Sequence, residues 1–301
     1  MVLSIISKDL DIIGKRKIWF LISAVIIIVG LVSMFTQGMN LGIDFTGGTI
    51  IEFAFEEEVS TDDIRVVMEE FDLAGDSIIQ SSGDTGILIR TVDLEQEEIS
   101  QIQNEVYNRY ESAEMLRSEM VGPTIGDELT RNALLALAVA IVAIVAYISI
   151  RFQFKFAIAA IIALVHDILI LLGIISLLGR EINSPFIAAL LTVMGYSIND
   201  TIVIFDRVRE NLKYKRKQSF AELNNRAVVD TLPRSINTSA TTLACIAAVF
   251  VFGGATIQTI MLALLIGILA GTYSSVFIAS PALVELDAWQ KRRKEMSEAS
   301  V

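Results

Sequence analysis

The chain has 301 residues, 53% of them hydrophobic and 20% charged, with a mean hydropathy of +0.59. A soluble domain carries about a quarter charged residues, so a single soluble globule is excluded. The only cysteine, Cys245, leaves no disulfide framework and no thiolate metal cluster. A net charge of −11, from 24 basic and 35 acidic residues, is a poor match for a phosphate backbone, and nucleic acid is not an expected partner.

Six runs are long and apolar enough to cross a hydrocarbon core of about 30 Å: 18–35, 132–150, 156–178, 185–205, 235–252 and 257–284. The first follows Lys15, Arg16 and Lys17, but no small-residue cleavage site clearly follows it, so residues 1–35 read as a cytoplasmic start and a retained signal anchor. Residues 36–131 then form one small domain. Within it 49–55 is β-rich, and 60–72 has helical spacing behind a Ser60/Asp63 capping pair. Residues 77–81 and 86–92 flank the turn Ser82-Gly83-Asp84-Thr85, a second helix runs over about 94–110, and 114–121 closes the set. The order β-α-β-β-α-β is that of a ferredoxin-like split unit. The run Glu56-Glu57-Glu58 reads as a solvated strand end, since no converging ligands accompany it. No histidine, cysteine or Gly-rich phosphate loop lies in this domain, which leaves a docking or gripping module rather than an enzyme, and no cofactor is expected.

The predicted fold class is therefore a polytopic α-helical membrane protein with six transmembrane helices. A small α+β ferredoxin-like extracytoplasmic domain lies between helices 1 and 2. Residues 132–284 carry helices 2–6, with a kink allowed at Pro281, and 285–301 form a cytoplasmic tail. Lysine and arginine set the orientation: Lys15 to Lys17, Arg151 and Lys155, the 206–234 loop, and Lys291 to Lys294 belong in the cytoplasm. Both termini are then inside and 36–131 is outside. That segment has 22 acidic and 5 basic residues, a charge of −17, which leaves +6 for the rest. Insertion against a negative-inside potential favours such a separation.

An ionisable side chain in the bilayer costs at least ~2.5–3.5 kcal/mol, so each marks a candidate site. His166 and Asp167 sit about eleven residues past Lys155, roughly mid-membrane at 1.5 Å per residue. Asn199 and Asp200 lie nearer the cytoplasmic face. The fifth span runs outward from Arg234 and presents Asn237, Thr238, Ser239, Thr241 and Thr242 at overlapping depth, with Arg234 placed to snorkel towards Asp200. Serines and threonines in spans commonly serve only helix packing, and the His166–Asp167 pair can do the same. Asp200, a lone carboxylate among a guanidinium and hydroxyl donors, is placed to change protonation with its surroundings. No Gly-x-x-x-x-Gly-Lys-Ser/Thr loop occurs, so a proton gradient, at ~2.3 kcal/mol per charge per 100 mV, is the expected energy source.

Several stretches carry a resemblance to a known family: Gly42-Ile-Asp-Phe-Thr-Gly-Gly-Thr49, Val121-Gly-Pro-Thr-Ile-Gly126, His166-Asp167, Arg234-Ser-Ile-Asn-Thr-Ser239, and above all Gly195-Tyr-Ser-Ile-Asn-Asp-Thr-Ile-Val-Ile-Phe-Asp-Arg-Val-Arg-Glu-Asn211. In these the chain resembles the SecF family of protein-export membrane subunits, within the resistance-nodulation-division superfamily. The resemblance implies an accessory subunit that pairs with SecD, associates with the SecYE translocon channel and uses the proton-motive force to help exported polypeptides across the cell membrane. It implies that Asp200 is the proton-responsive carboxylate, that Arg234 is its fifth-span partner, and that Asn199, Asn237 and Thr238 line the same polar contact. Phe45, Thr46, Gly47 and Gly48 would connect the first span to the outside domain, glycine permitting a sharp bend there. The acidic outside domain and short tails point to an archaeal form. A small-solute or lipid exporter of the same superfamily is the alternative, although such exporters carry two six-span halves and larger outside domains. An intramembrane aspartyl protease built on Asp167 and Asp200 needs the two carboxyls about 3 Å apart, and their depths differ by several Å.

Overall fold

The structure, a computed structural model, describes residues 10–83, 85–214 and 218–299. Asp84 of the expected turn, residues 215–217 of the expected 206–234 loop, and the chain ends 1–9 and 300–301 assigned to the cytoplasmic termini lie outside the described residues. The chain divides into two compact units. One holds residues 41–136 together with 181–184, and the other holds the residues up to Asn40, Leu137–Arg180 and Pro185 onward.

The first unit opens with a one-turn helix, α1′s successor in the chain after the span α1 (Arg16–Thr36), namely α2 (Ile43–Thr46). It continues through β1 (Gly48–Ala54), α3 (Thr61–Glu69), β2 (Ile78–Ser82), β3 (Gly86–Thr91), α4 (Gln96–Arg109) and β4 (Glu114–Val121). The sheet is antiparallel throughout, in the order β2-β3-β1-β4, so the β-α-β-β-α-β order of the sequence becomes the ferredoxin-like arrangement. Alternation along the strands makes the core. Ile51 and Phe53 of β1, with Ile87 and Ile89 of β3, face Ile64, Val67 and Met68 of α3 and Ile99, Ile102 and Val106 of α4. Ser60 caps α3 reciprocally with Asp63, as the sequence indicates, and at the start of α4 the Glu95 N–H donates to Glu98 Oε2 at 2.7 Å. Glu56, Glu57 and Glu58 are exposed just past β1.

Four residues between the third and fourth spans belong to this unit, a feature absent from the sequence reading. Gly42 donates its N–H to Ile182 O (2.8 Å), and Ser184 donates its own to Asp44 Oδ2 (2.7 Å). Arg90 on β3 pairs with Glu181 at 2.7 Å, their side chains only 9% and 19% exposed.

The second unit contains α1, most of α5 (Pro123–Arg151), α6 (Phe154–Leu177), α7 (Ser184–Tyr214), α8 (Phe220–Phe252), α9 (Ala255–Ser274), a π-helical stretch Ser275–Ala279, and α10 (Ser280–Ala299). Among the described residues, six helical segments are long and apolar enough to cross a membrane. Only 6% of the apolar window of α5 and 11% of that of α8 is buried, against 56% for α6, so α6 is the helix most enclosed by the others. It meets α1 at glycine: a Cβ on Gly30 or Gly173 would lie 2.8 or 2.7 Å from the other's Cα. Ser33 and Ser176 bond one turn away at 3.0 Å. This is the small-residue approach that membrane helices use in place of a hydrophobic drive.

The helices outrun the apolar windows. The 206–234 segment expected as a loop is helical up to Tyr214 and again from Phe220, where Ser219 and Glu222 form a capping box. The correction has a physical cause: hydropathy reports where lipid ends, not where hydrogen bonding ends. Past the apolar windows these turns are held by ion pairs, Arg207 to Asp230 at 2.7 Å and Arg209 to Asp206 at 2.7 Å. The tail expected over 285–301 is likewise the helix α10 through Ala299, tied down by Lys155–Asp287 (2.7 Å) and Arg16–Glu285 (2.5 Å). The irregularity expected at Pro281 falls just before it. Pro281 has no N–H for the carbonyl of Phe277, and the preceding turn widens into the π stretch.

Candidate functional site

Asp167 and Asp200 are carboxylates buried within the third and fourth spans, and their surroundings differ. Asp167 on α6 is 1% exposed and fully engaged: Oδ1 lies 2.9 Å from His166 Nδ1, while Oδ2 accepts from Ser197 Oγ (2.5 Å, α7) and Ser274 Oγ (2.8 Å, α9). His166 Nε2 reaches Ser23 Oγ of α1 at 3.0 Å, and its ring stacks on Tyr273 with centroids 5.9 Å apart. Tyr273 Oη donates to Trp19 O at 3.1 Å. Ser23 Oγ also lies 3.4 Å from Tyr273 Oη, so its hydroxyl stands between the imidazole and the phenol.

Asp200 on α7 is 7% exposed. Its Oδ1 accepts from Ser235 Oγ of α8 at 2.7 Å, and its buried Oδ2 has no hydrogen-bond partner among the described residues. Around it lies a pocket of about 280 Å³ lined by Tyr196, Asn199, Thr238, Thr241 and Thr242 besides Asp200 itself. The residue after Asp200, Thr201, meets the start of the π stretch: its Oγ1 lies 2.8 Å from Ser275 Oγ, and Ser275 Oγ also bonds Ser197 O at 3.3 Å. Thus serines one residue apart on the last span touch Asp167 on one side and the Asp200 turn on the other. The two carboxylates share no hydrogen-bond partner among the described residues, which is not the proton-sharing dyad a protease needs.

Of the residues picked from sequence, Asp200, Asn199 and Thr238 converge on one pocket, and His166 joins Asp167. Arg234 makes no ion pair with Asp200 within 4.0 Å among the described residues; the direct partner is its neighbour Ser235. The helical period accounts for this. Asn224, Val228, Thr231, Ser235 and Ser239 form the buried stripe of α8, whereas Arg234, Asn237 and Thr241 are exposed on it. That stripe, read at 3.6 residues per turn, is the signal that singles out Ser235. Ser197, Ser274 and Ser275 have no such signal, because each is one small polar residue among many.

Phe45 to Gly48 fall inside the first unit. Phe45 and Thr46 end α2, and Gly47 and Gly48 have φ of 70° and 119°, in the region that favours glycine. A Cβ on Gly48 would overlap the carbonyl oxygen of Thr91, and one on Gly47 would sit 3.4 Å from Pro123 Cα and Val121 O. The pair is a tightly packed turn.

A helical bundle with carboxylates buried on its third and fourth spans, carrying a ferredoxin-like domain after its first, defines a multi-pass membrane protein of the export and transport class. The chain matches the family described as protein export membrane protein SecD/SecF, C-terminal, over residues 101–289, and the SecD/SecF GG motif over 32–59. It is 42% identical over 293 residues to the protein translocase subunit SecF of Sebaldella termitidis, covering 95% of each chain, and 44% identical over 292 residues to that of Magnetococcus marinus, covering 94% of each. The crystal structure of SecDF, a translocon-associated membrane protein from Thermus thermophilus, superposes with a TM-score of 0.88 at 36% identity over 95% of this chain. A SecDF structure in a super-membrane-facing form gives 0.70 at 36% identity over 98%. The chain spans 39% and 41% of those two longer proteins. It belongs to the SecF family.

Proposed function

We propose that this chain is the SecF-type accessory subunit of a Sec protein translocase, that it pairs with a SecD-type chain beside the SecYE channel, and that it spends the proton-motive force through Asp200 to promote export. Both termini are cytoplasmic and the ferredoxin-like unit faces outward. The carrying observation is the half-satisfied carboxylate. Asp200 holds one hydroxyl donor and keeps a second, buried oxygen without a partner among the described residues, in a side chain that borders a polar pocket, so a proton has a place to bind without displacing the Ser235 bond. Its neighbourhood supports pairing as well. Arg234, Asn237, Thr238 and Thr241 are exposed on a span whose surroundings are lipid unless protein covers them, and uncovered polar groups in hydrocarbon are costly. A second six-span half supplies that cover.

The test is Asp200→Asn in cells depleted of the native subunit. The protein is expected at normal abundance with SecD copurifying, while gradient-dependent stimulation of export falls at least tenfold. Undiminished stimulation refutes the coupling role. Arg234→Ala is expected to impair the same step at normal abundance, and loss of folded protein in both variants would leave them a packing role alone.

A further inference from the structure

A second feature of the helical unit lies away from Asp200. Between α1, α6 and α10 runs an apolar groove of about 640 Å³. Phe20 and Ile27 line it from α1, Ile162 and Leu169 from α6, and Ile278 and Leu286 from the last span. Its polar lining residues are few. On α10 these are Glu285 and, nearest the C-terminal end that forms the mouth, Trp289 and Arg292; Ser23, between Phe20 and Ile27, and His166, between Ile162 and Leu169, bond each other along the wall.

Its dimensions and charge fit one kind of occupant. From Arg292 to Ile278 is fourteen residues, about 21 Å of helix at 1.5 Å per residue. One leaflet with its headgroups is roughly 20–22 Å deep, half of the full bilayer. Trp289, 53% exposed at the mouth, stands where tryptophan is enriched, at the headgroup level. Glu285 is already neutralised by Arg16 at 2.5 Å and Asp287 by Lys155 and Lys291. Arg292 has no carboxylate within 4.0 Å among the described residues, so the mouth is left positive. A partner helix would meet a polar stripe, and that stripe lies on α8, outside this groove.

We infer that the groove between α1, α6 and α10 is a binding site for one anionic phospholipid of the leaflet containing the C-terminal end of α10, its phosphate on Arg292 and an acyl chain along the groove to His166. Basic pockets between membrane helices hold anionic headgroups in this way. The lipid then abuts the ring whose other nitrogen faces Asp167.

The full chain, purified with its SecD-type partner in detergent and stripped of lipid, is titrated with dioleoyl phosphatidylglycerol or dioleoyl phosphatidylcholine, and bound lipid is counted by native mass spectrometry. One phosphatidylglycerol is expected to bind at least tenfold more tightly than phosphatidylcholine. Arg292→Gln should narrow that preference to within twofold, while Arg292→Lys retains it and so excludes misfolding as the cause. Ala24→Phe, which fills the groove from α1, should weaken both lipids. Equal affinity for the two lipids in the parent, or a preference that survives Arg292→Gln, overturns the assignment. So does crosslinking of a cysteine at position 24 to a helix of the second subunit in native membranes, which would make the groove a protein interface.

Discussion

Asp167 and Asp200 are both buried acids, yet the sequence alone does not separate their roles, because the separation lies in serines on other helices. Asp167 receives His166, Ser197 and Ser274; Asp200 receives Ser235 alone. An amide in place of a carboxylate turns one acceptor into a donor. At Asp167 that donor faces either two hydroxyls or an imidazole nitrogen; at Asp200 it replaces a buried oxygen that has no partner among the described residues. Asp167→Asn is therefore expected to destabilise the protein by about 1–3 kcal/mol, the cost of a mismatched buried hydrogen bond, whereas Asp200→Asn, in which the amide oxygen can keep the Ser235 bond and one unpaired polar group replaces another, is expected to cost less than Asp167→Asn. Thermal unfolding in detergent compares the two directly. The cost of charge in lipid made Asp200 legible from sequence. Ser235 stayed hidden because a guanidinium one residue away was the more conspicuous partner, although the buried stripe of α8 turns Arg234 outward.

Among the elements, the ferredoxin-like unit was the most legible. Two-residue alternation in 49–55 and 86–92 and the Ser60/Asp63 cap are local signals, and the observed strands and helices begin and end within a few residues of them. Long-range features left no such trace. The capture of residues 181–184 depends on Arg90 and Asp44, far away in sequence, and the crossing of α1 on α6 depends on two glycines that read as ordinary span residues. That crossing has a measurable consequence. Gly173→Leu inserts a side chain where the backbone of Gly30 already lies, and overpacking of this kind costs ~1–3 kcal/mol or more. The expected result is a lower unfolding temperature and loss of a disulfide crosslink between cysteines placed at Ser33 and Ser176, whose hydroxyls are 3.0 Å apart. An unchanged crosslink would mean that the two helices meet elsewhere. The π stretch before Pro281 was half legible: proline announces a missing donor, but only packing decides which turn widens.

At the scale of the whole molecule, charge is the organising quantity. The segment between the first two spans carries −17 and the remainder +6, and positive residues gather at the N-terminal ends of α1 and α6 and at the C-terminal ends of α5, α7 and α10. Proposed orientation and charge thus make one prediction. With Cys245→Ala as background, Glu111→Cys in the exposed turn after α4 should react with a membrane-impermeant maleimide added to intact cells. A cysteine replacing Gln218, before α8, should react only after the cells are opened; the reverse pattern would invert the topology.

The native thiol that such labelling removes has a use of its own. Cys245 is exposed on α8, three residues beyond Thr242 and seven beyond Thr238, which puts it on the side of the helix that carries the threonines of the Asp200 pocket. Nature has therefore left one sulfhydryl as a built-in reporter beside that surface. Its rate of alkylation by a lipid-soluble reagent registers, molecule by molecule, whether the chain stands alone in the bilayer or has been joined.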